Sequence, residues 1–315
     1  MDTADASIPL DPTMPVIDGF RAVLGNLCDV IMANWQGAID QENPEFLHDL
    51  RIGVRQTRTV LGRSKGILPI SIRKAAQLHF DRLSSLTGPV RDLDVFLIKW
   101  DNYIDPLDDE VVDALEQIHT HLIQRHQTAS VILVQAMRSA DTTDIMTTWH
   151  TWLHEPMPAS RHGTYPQRAL GKVIKRQIVH AQARVLKRGR RIRPKTEVAR
   201  IHQLRKDAKK LRYLLECFNT LFVDAPRNEF IRRLKELQNT LGEHQDLAIH
   251  IAELRSIAND PVIEGKSSET LVAIGRLIEL LNQRQHVVRS ECEERFATYA
   301  KKETQTVLKK TLAKI

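Results

Sequence analysis

The chain has 315 residues, of which 42% are hydrophobic and 27% charged, with a net charge of +7. This composition is typical of a soluble globular protein and excludes a disordered one. No apolar run approaches the roughly 20 residues that span a bilayer, and the acidic, proline-containing start lacks the basic and apolar regions of a signal peptide.

Apolar residues recur at three- and four-residue spacing, as in Phe20, Val23, Leu24 and Leu27, which indicates helices. Alternating runs rich in β-branched residues are absent, so we predict an all-α fold. The predicted helices cover 16–40, 44–66, 71–87, 90–104, 109–139, 142–153, 166–188, 197–222, 226–241, 243–258 and 267–299, with a short helix at the end. Asn43 before Pro44 is a typical helix start, and Thr196 before Glu197 is predicted to serve the same purpose.

Two segments 154 residues apart share one pattern. HDLRIGVRQTR begins at His48 and HQLRKDAKKLR at His202, and Gly88 and Asp92 recur at the same offset as Gly242 and Asp246. This predicts an internal duplication, with two similar helical bundles related by a pseudo-two-fold axis. The predicted organisation is a flexible lead over 1–15, an N-terminal half over 16–158, a C-terminal half over 159–315, and a linker at 154–163.

Charge is distributed unevenly along the chain. Residues 161–212 contain 18 Lys and Arg but only two acidic residues, whereas residues 92–116 contain nine acidic residues and Lys99 as the only base. Such segregation favours a basic binding surface on an otherwise acidic body, and hence a polyanionic partner.

Both repeated segments place basic side chains on one helix face. The spacing of three, four and three residues aligns His48, Arg51, Arg55 and Arg58 in one row, and His202, Arg205, Lys209 and Arg212 in the other. Neighbouring like charges repel, and no glutamates are interleaved to relieve them, so the pattern favours binding over a merely solvated face. A third basic helix carries Lys172 and Arg176, among other cations, ahead of the second row.

The opposite faces of the two row-bearing helices are apolar and predict core packing. They carry Leu47, Leu50, Val54 and Leu61 in the first copy, and Ile201, Leu204, Ala208, Leu211 and Leu215 in the second.

The scarcity of aromatic side chains near the cations indicates which type of anion binds. Single-strand nucleic-acid binders interleave aromatics for base stacking, but aromatics make up only 5% of this chain, and Tyr213 is predicted to pack in a core. Arginine forks and lysine point charges suffice for a phosphate polymer. Inorganic polyphosphate, or another phosphate-rich anion, therefore fits better than DNA or RNA, with nucleic acid kept as an alternative.

The two row histidines leave three interpretations open. They could bind a metal together with Asp92, Asp246 or His244, although the surrounding arginines would repel a cation. Protonated, they could strengthen anion binding at mildly acid pH. They could also be neutral histidines hydrogen-bonded at a packing interface. Asp92 and Asp246 are predicted to open their helices and to favour the helix dipole there.

No catalytic motif is present: the chain contains no glycine-rich phosphate loop, no GxSxG and no HExxH. We therefore expect a binding module that is not an enzyme and has no cofactor or bound metal. A metal-dependent phosphohydrolase, or its regulatory domain, is the alternative.

The three scattered cysteines, Cys28, Cys217 and Cys292, form neither a CxxC pair nor an even set. They are expected to be small buried side chains in a reducing, cytoplasmic compartment.

The two copies, each followed by a Gly-x-x-x-Asp-Leu stretch (GPVRDLDV and GEHQDLAI), resemble the paired signatures of the CHAD domain, the conserved histidine α-helical domain. The resemblance covers the chain from about Val16 onward. It implies two four-helix bundles around a basic central channel that binds inorganic polyphosphate, and association with polyphosphate granules and their proteins. Many such proteins carry an N-terminal triphosphate-tunnel (CYTH) domain, but no ExExK-type motif precedes the resemblance here.

Carried over residue by residue, the resemblance assigns polyphosphate binding to His48, Arg51, Arg55 and Arg58, and to His202, Arg205, Lys209, Lys210 and Arg212. Gln56 departs from the family pattern, where a second arginine is usual, so the first row is one charge weaker. Together with Lys172, Arg176 and Lys206 from the basic surface, these residues make up the predicted binding site.

Overall fold

The computed structural model describes residues 8–156, 168–193, 196–260 and 267–315. Within these ranges the helices are α1 (Val16–Ala33), α2 (Trp35–Asp40), α3 (Pro44–Arg63), α4 (Ile70–Ile104), α5 (Asp109–Arg138), α6 (Ala140–His154), α7 (Leu170–Gly189), α8 (Val198–Cys217), α9 (Asp224–Asn259), α10 (Ser268–Tyr299) and α11 (Lys302–Thr311). The described ranges contain no strand, only an isolated bridge between Pro15 and Ala169. The predicted all-α fold is confirmed. None of these helices is long and apolar enough to cross a membrane.

Two predicted helix breaks are wrong, because α4 and α9 each run unbroken through a glycine. In α4 the buried side chains of Leu83, Thr87 and Val90 keep their helical spacing across Gly88 and Pro89. Pro89 is exposed, so the helix loses one backbone hydrogen bond there without leaving a buried group unpaired. Burial of one continuous face therefore outweighs the local preference of a Gly-Pro pair for a turn.

The continuity of α9 predicts the effect of Gly242→Ala. A Cβ at Gly242 would make only an ordinary contact, 3.8 Å from Arg205 Nε, and Gly242 does not have a positive φ. Alanine should therefore raise the free energy of unfolding by about 0.5–1 kcal/mol, the usual helix-interior difference from glycine. Urea unfolding measures this. Gly189→Ala is the opposing control, because its Cβ would overlap the ring of Phe296. A loss of stability in Gly242→Ala would contradict an unbroken α9.

Two helix starts differ from each other in how they are capped. Asn43 accepts a hydrogen bond from the backbone N–H of Glu45 at 2.9 Å and begins α3 as predicted. The predicted cap at Thr196 is wrong, because its hydroxyl accepts from the backbone N–H of Arg193 at 2.7 Å and stays outside α8.

The predicted 16–40 helix is divided at Asn34 into α1 and α2. The start predicted at 166 and linker residues 157–163 lie outside the described residues.

The helices form two consecutive sets. In the first set α1 packs on α3, α3 on α4 and α4 on α5, and in the second set α7 packs on α8, α8 on α9 and α9 on α10. The sets meet where α3 contacts α8, α4 contacts α9 and α5 contacts α10. Their buried side chains form one continuous apolar cluster. Both ends of α3 and α8 differ by the predicted 154 residues. The duplication, its axis and the division at residue 158 stay predictions.

Part of the predicted lead is packed. The Thr220 hydroxyl donates to the carbonyl of Ile8 at 2.7 Å and accepts from the N–H of Leu10 at 3.2 Å, and the Leu10 side chain is buried. Residues 8–15 therefore lie against the C-terminal set of helices, whereas residues 1–7 lie outside the described residues.

The cysteines are free thiols. Cys28 and Cys292 are fully buried, as predicted, and burial raises the pKa of each thiol to about 12. Cys217 is only half-buried by its accessible surface.

Candidate functional site

The contact between α3 and α8 brings the two predicted rows together. All nine residues predicted for the apolar faces of these helices are buried, so the basic rows lie on the other faces, where Arg51 alone among the row side chains is also buried. Arg55 of α3 interacts electrostatically with Arg205 and Lys209 of α8. Two rows 154 residues apart in sequence therefore meet through Arg55.

Arg205, Lys209 and Arg212 of the second row, but not His202, line a concave groove of about 730 Å³ between α4, α8, α9 and α10, which we call the basic groove. Its lining includes Lys99, Tyr103, Arg205, Lys209, Arg212, Gln238, Glu243, Asp246 and Arg284. Five of these side chains are cationic and two are acidic. The volume is within the usual range for small-ligand sites, and the groove opens to solvent.

Lys209 is the most perturbed group of the basic groove. Burial lowers the pKa of its ammonium to about 6, and the neighbouring cations Arg205, Arg55 and Arg212 act in the same direction. Burial also lowers the pKa of Arg205, against the opposing effect of Asp246. Lys99, Arg212 and Arg284 each have an acidic partner, whereas Arg205 and Lys209 lie close together with acidic compensation chiefly from Asp246, an arrangement that an anion would relieve.

Polar atoms without partners border the same groove. The side chain of Gln238 is 5% exposed, and neither its amide oxygen nor its amide nitrogen has a hydrogen-bond partner within the protein. The Nε atom of Arg205 is likewise buried without a hydrogen-bond partner, whereas Arg212 Nε lies 3.5 Å from Glu216 Oε1 in an ion pair. Since buried polar groups are almost always paired, this concentration marks a surface suited to a polar ligand.

The first row is more strongly engaged with the protein. Arg51 is buried and donates to the Thr87 hydroxyl at 2.7 Å, and burial lowers the pKa of its guanidinium to about 10. Arg58 pairs with Asp81 at 2.6 Å and donates to Ser84 at 2.7 Å. Within this row Arg55 is therefore the side chain that faces the α8 cations.

The two row histidines are half-buried, and burial is the main cause that lowers the pKa of each imidazole. His202 Nδ1 lies 2.5 Å from the amide oxygen of Gln245, so with that oxygen as acceptor the ring nitrogen donates. This geometry favours a neutral, hydrogen-bonded His202 at a helix interface, one of the three interpretations of the sequence.

Lys206 and Lys210 are exposed and lie outside the lining of the basic groove. Lys210 interacts with Arg63 of α3 and Arg184 of α7, on another side of α8. Asp207 is buried beside this second group of cations and pairs with Arg188 at 2.5 Å. We call the group of Arg63, Arg184, Lys206 and Lys210 the lateral cluster.

Lys172 and Arg176 are exposed on α7, and neither lines the basic groove. The structure therefore divides the predicted binding residues between the groove, the first row, the lateral cluster and the exposed face of α7.

The predicted role of Asp92 and Asp246 at helix starts is wrong, because both lie inside the unbroken helices α4 and α9. Asp246 instead pairs with Lys99 at 2.8 Å and faces Arg205 across the groove. It therefore holds one groove cation and partly offsets another.

The metal set considered from the sequence is not assembled. Among the described residues, the groups of three or more potential ligands that converge include neither His202 nor any of the three partners proposed from the sequence. His48 groups only with Glu45 and Asp49 of its own helix. His244 is fully buried, and burial lowers its pKa to about 4.

Sequence reasoning missed Lys99, Gln238 and Arg284 as groove residues. Lys99 carried one signal, as the only base in the acidic stretch 92–116. Arg284 comes from α10 and pairs with Glu243 of α9 at 2.7 Å, and Gln238 stands between the uncharged Leu237 and Asn239. Neither position repeats the row pattern, so neither carried a signal.

The fold and the site together define a class of protein. It is all-helical, and cations from several packed helices line one groove. The chain belongs to the CHAD domain family, whose model matches residues 22–255. Among solved structures it is similar to the CHAD domain from the plant Ricinus communis, with 24% identity and a TM-score of 0.74 over 90% of this chain and 94% of that one. It is also similar to PptA from Streptomyces chartreusis, with 20% identity and a TM-score of 0.66 over 90% and 98% of the two chains. At these identities the two structures show the fold alone. A comparison with curated proteins found no match.

Proposed function

We propose that the chain binds inorganic polyphosphate in the basic groove and acts as a binding module. The observation that carries this proposal is the position of Lys209, half-buried among Arg55, Arg205 and Arg212. Keeping Lys209 protonated beside three guanidinium groups raises the free energy of the unliganded protein, which is why its pKa is lowered to about 6, and a polyanion laid along these side chains would favour the protonated form. The CHAD family membership supports the same ligand class.

The side chains around the groove favour a phosphate polymer over nucleic acid. Guanidinium groups can bind phosphate oxygens in pairs, and Lys209 adds a point charge. Tyr213 is buried, as predicted, and the Tyr103 hydroxyl lies 3.0 Å from His250 Nδ1, so both aromatic side chains near the groove are engaged within the protein. Little surface is left for base stacking, on which single-strand binders rely.

As part of the proposal, the groove holds its ligand without transforming it. Its two carboxylates are each paired with a cation, Asp246 with Lys99 and Glu243 with Arg284. Paired carboxylates are poor candidates for a general acid or base. A location in the cytoplasm, at polyphosphate granules and with their proteins, belongs to the same proposal.

Binding of a defined long-chain polyphosphate, measured by fluorescence anisotropy over a range of salt concentrations, tests the function. Because each phosphate contact releases a counterion, the logarithm of the binding constant should fall linearly with the logarithm of salt concentration. Single-stranded DNA at equal phosphate concentration should displace little of the ligand. Equal displacement by DNA would make the protein a generic polyanion binder, and phosphate release with added Mg²⁺ would instead indicate a phosphohydrolase.

A further inference from the structure

We propose that Asp29, His150 and His154 form a binding site for a divalent transition metal ion of borderline softness, with Zn²⁺ as the representative ion. The site lies between α1 and α6 and shares no residue with the basic groove.

Three potential ligand atoms converge on one point. His154 Nε2 lies 3.1 Å and His150 Nε2 3.5 Å from the same Asp29 oxygen, Oδ1. All three atoms lie within 4.8 Å of one another. Ligands bound tetrahedrally to Zn²⁺ at 2.0–2.1 Å are separated by about 3.3 Å. The two separations from Asp29 Oδ1 lie on either side of that value, and the third, between the histidines, is bounded by 4.8 Å, so rotation of the two imidazole side chains would complete the coordination.

The spacing of the histidines explains their convergence. Residues four apart lie on the same face of a helix, one turn above another. The two imidazole rings are 4.3 Å apart between centroids, and both Nε2 atoms are directed to α1. A His-x-x-x-His pair on one helix with a carboxylate from a second helix is a ligand set that suits Zn²⁺.

The side chain of Arg21 in α1 holds the end of α6 against α1. The Arg21 guanidinium donates to the carbonyls of Trp152 at 2.8 Å, Leu153 at 3.1 Å and Glu155 at 2.5 Å. The ring of His154 also lies directly on α1, where a Cβ at Gly25 would be at ordinary contact distance, 3.4 Å, from His154 Cε1. The ligands are therefore positioned before any ion binds, which lowers the ordering cost of binding.

The chemistry of the ligands selects the ion. Two imidazoles and one carboxylate favour Zn²⁺, Ni²⁺ or Cu²⁺ over Mg²⁺ and Ca²⁺, which prefer oxygen. All three side chains are about half exposed, so an ion can reach them and a water molecule can take a fourth position. The other converging group among the described residues, Glu45, His48 and Asp49, offers one histidine on one helix and is the weaker candidate.

The test titrates Zn²⁺ into the tag-free chain by calorimetry, in buffer without phosphate or polyphosphate because these chelate the ion. Co²⁺ then serves as a spectroscopic probe of coordination geometry. We expect one equivalent of Zn²⁺ to bind and Co²⁺ to give the intense visible bands of a low-coordinate nitrogen and oxygen site. His154→Ala and Asp29→Asn should each weaken binding by at least about tenfold, since even partners of metal ligands contribute 10–100-fold.

The matched controls are His48→Ala, which removes the histidine of the competing group, and His180→Ala, which removes an exposed histidine of α7. Both should keep wild-type Zn²⁺ affinity, and Zn²⁺ should raise their melting temperature as it raises that of the wild type. Because all the ligands are exposed, the variants are expected to fold, which circular dichroism checks. Equal Zn²⁺ affinity in His154→Ala and wild type, loss of binding in His48→Ala, or the absence of saturable binding would overturn the proposal.

Discussion

Replacing Arg55 and Arg205 together by alanine should weaken polyphosphate binding by about 100-fold at low salt. Each substitution removes one charge-assisted contact with the ligand, worth roughly 1.5 kcal/mol of binding free energy. The two side chains come from different rows and face each other across the α3–α8 contact. Arg205 lines the basic groove and Arg55 lies beside Lys209, so the double substitution removes two of the three guanidinium groups around Lys209. Fluorescence anisotropy at several salt concentrations measures the loss, and the salt dependence should become shallower because fewer counterions are released.

The control for this variant removes the same net charge elsewhere. Arg255 of α9 and Arg295 of α10 are exposed and do not line the basic groove. Arg255→Ala with Arg295→Ala should lower affinity only through the long-range field, by a few-fold at most under salt screening. If both double variants lost affinity equally, binding would depend on overall charge, and the groove would have no special part in it.

The basic rows could be predicted from the sequence because they depend on local geometry. Residues three and four apart share a helix face whatever the rest of the fold does. Leu50 and Leu204, both buried in the apolar faces of their helices, then determine which face turns to the core. The duplicated spacing indicated that the rows belong together, and the contact of α3 with α8 places Arg55 beside Arg205 and Lys209.

The division of the cations among surfaces could not be predicted in the same way. Lys206 and Lys210 belong to the same basic run as Lys209, but each residue turns the helix by about 100°. The position of α7 and the end of α3 decides that Lys210 meets Arg184 and Arg63 rather than the groove. A single sequence contains the helical angle of each side chain but not the placement of the neighbouring helices.

The helix breaks failed for a related reason. Gly88 and Pro89 have strong local preferences against a helix interior, worth up to about 3 kcal/mol for proline. The burial of Leu83, Val90 and Leu93 along one face exceeds that cost, and local preferences do not include it. The unbroken α4 in turn carries Lys99 to Asp246, a pair that spans 147 residues of sequence. Groove residues contributed by such distant helices carry no local pattern.

The groove also shows an opposition between stability and binding. Four crowded cations suit a polyanion but oppose folding when no ligand is bound, because burying like charges together is costly. The free energy that the ligand recovers on binding is thus partly stored in the unliganded fold. Lys209 is the position at which this opposition is greatest, since it has the lowest cationic pKa described in the groove.

Lys209→Met should therefore stabilise the protein while weakening its binding. Methionine preserves the length of the side chain and removes the buried charge, a type of change that raises the free energy of unfolding by roughly 1–3 kcal/mol. The same substitution should weaken polyphosphate binding by about tenfold, because one charged contact is lost. Lys210→Met removes an equal charge from the lateral cluster and should change both quantities much less.

The stabilisation should depend on pH with a definite sign. The pKa of Lys209 is about 6 in the folded protein, against an ordinary value of 10.5, so between these values the unfolded chain binds one more proton than the folded chain. The destabilising effect of Lys209 is complete below pH 6 and diminishes as the pH rises towards 10.5. Urea unfolding of wild type and Lys209→Met from pH 5 to 9 should show the largest difference at the acid end. A difference that does not change between pH 5 and 9 would mean that Lys209 keeps its proton in the folded protein, and the crowding of cations would then carry no stored free energy.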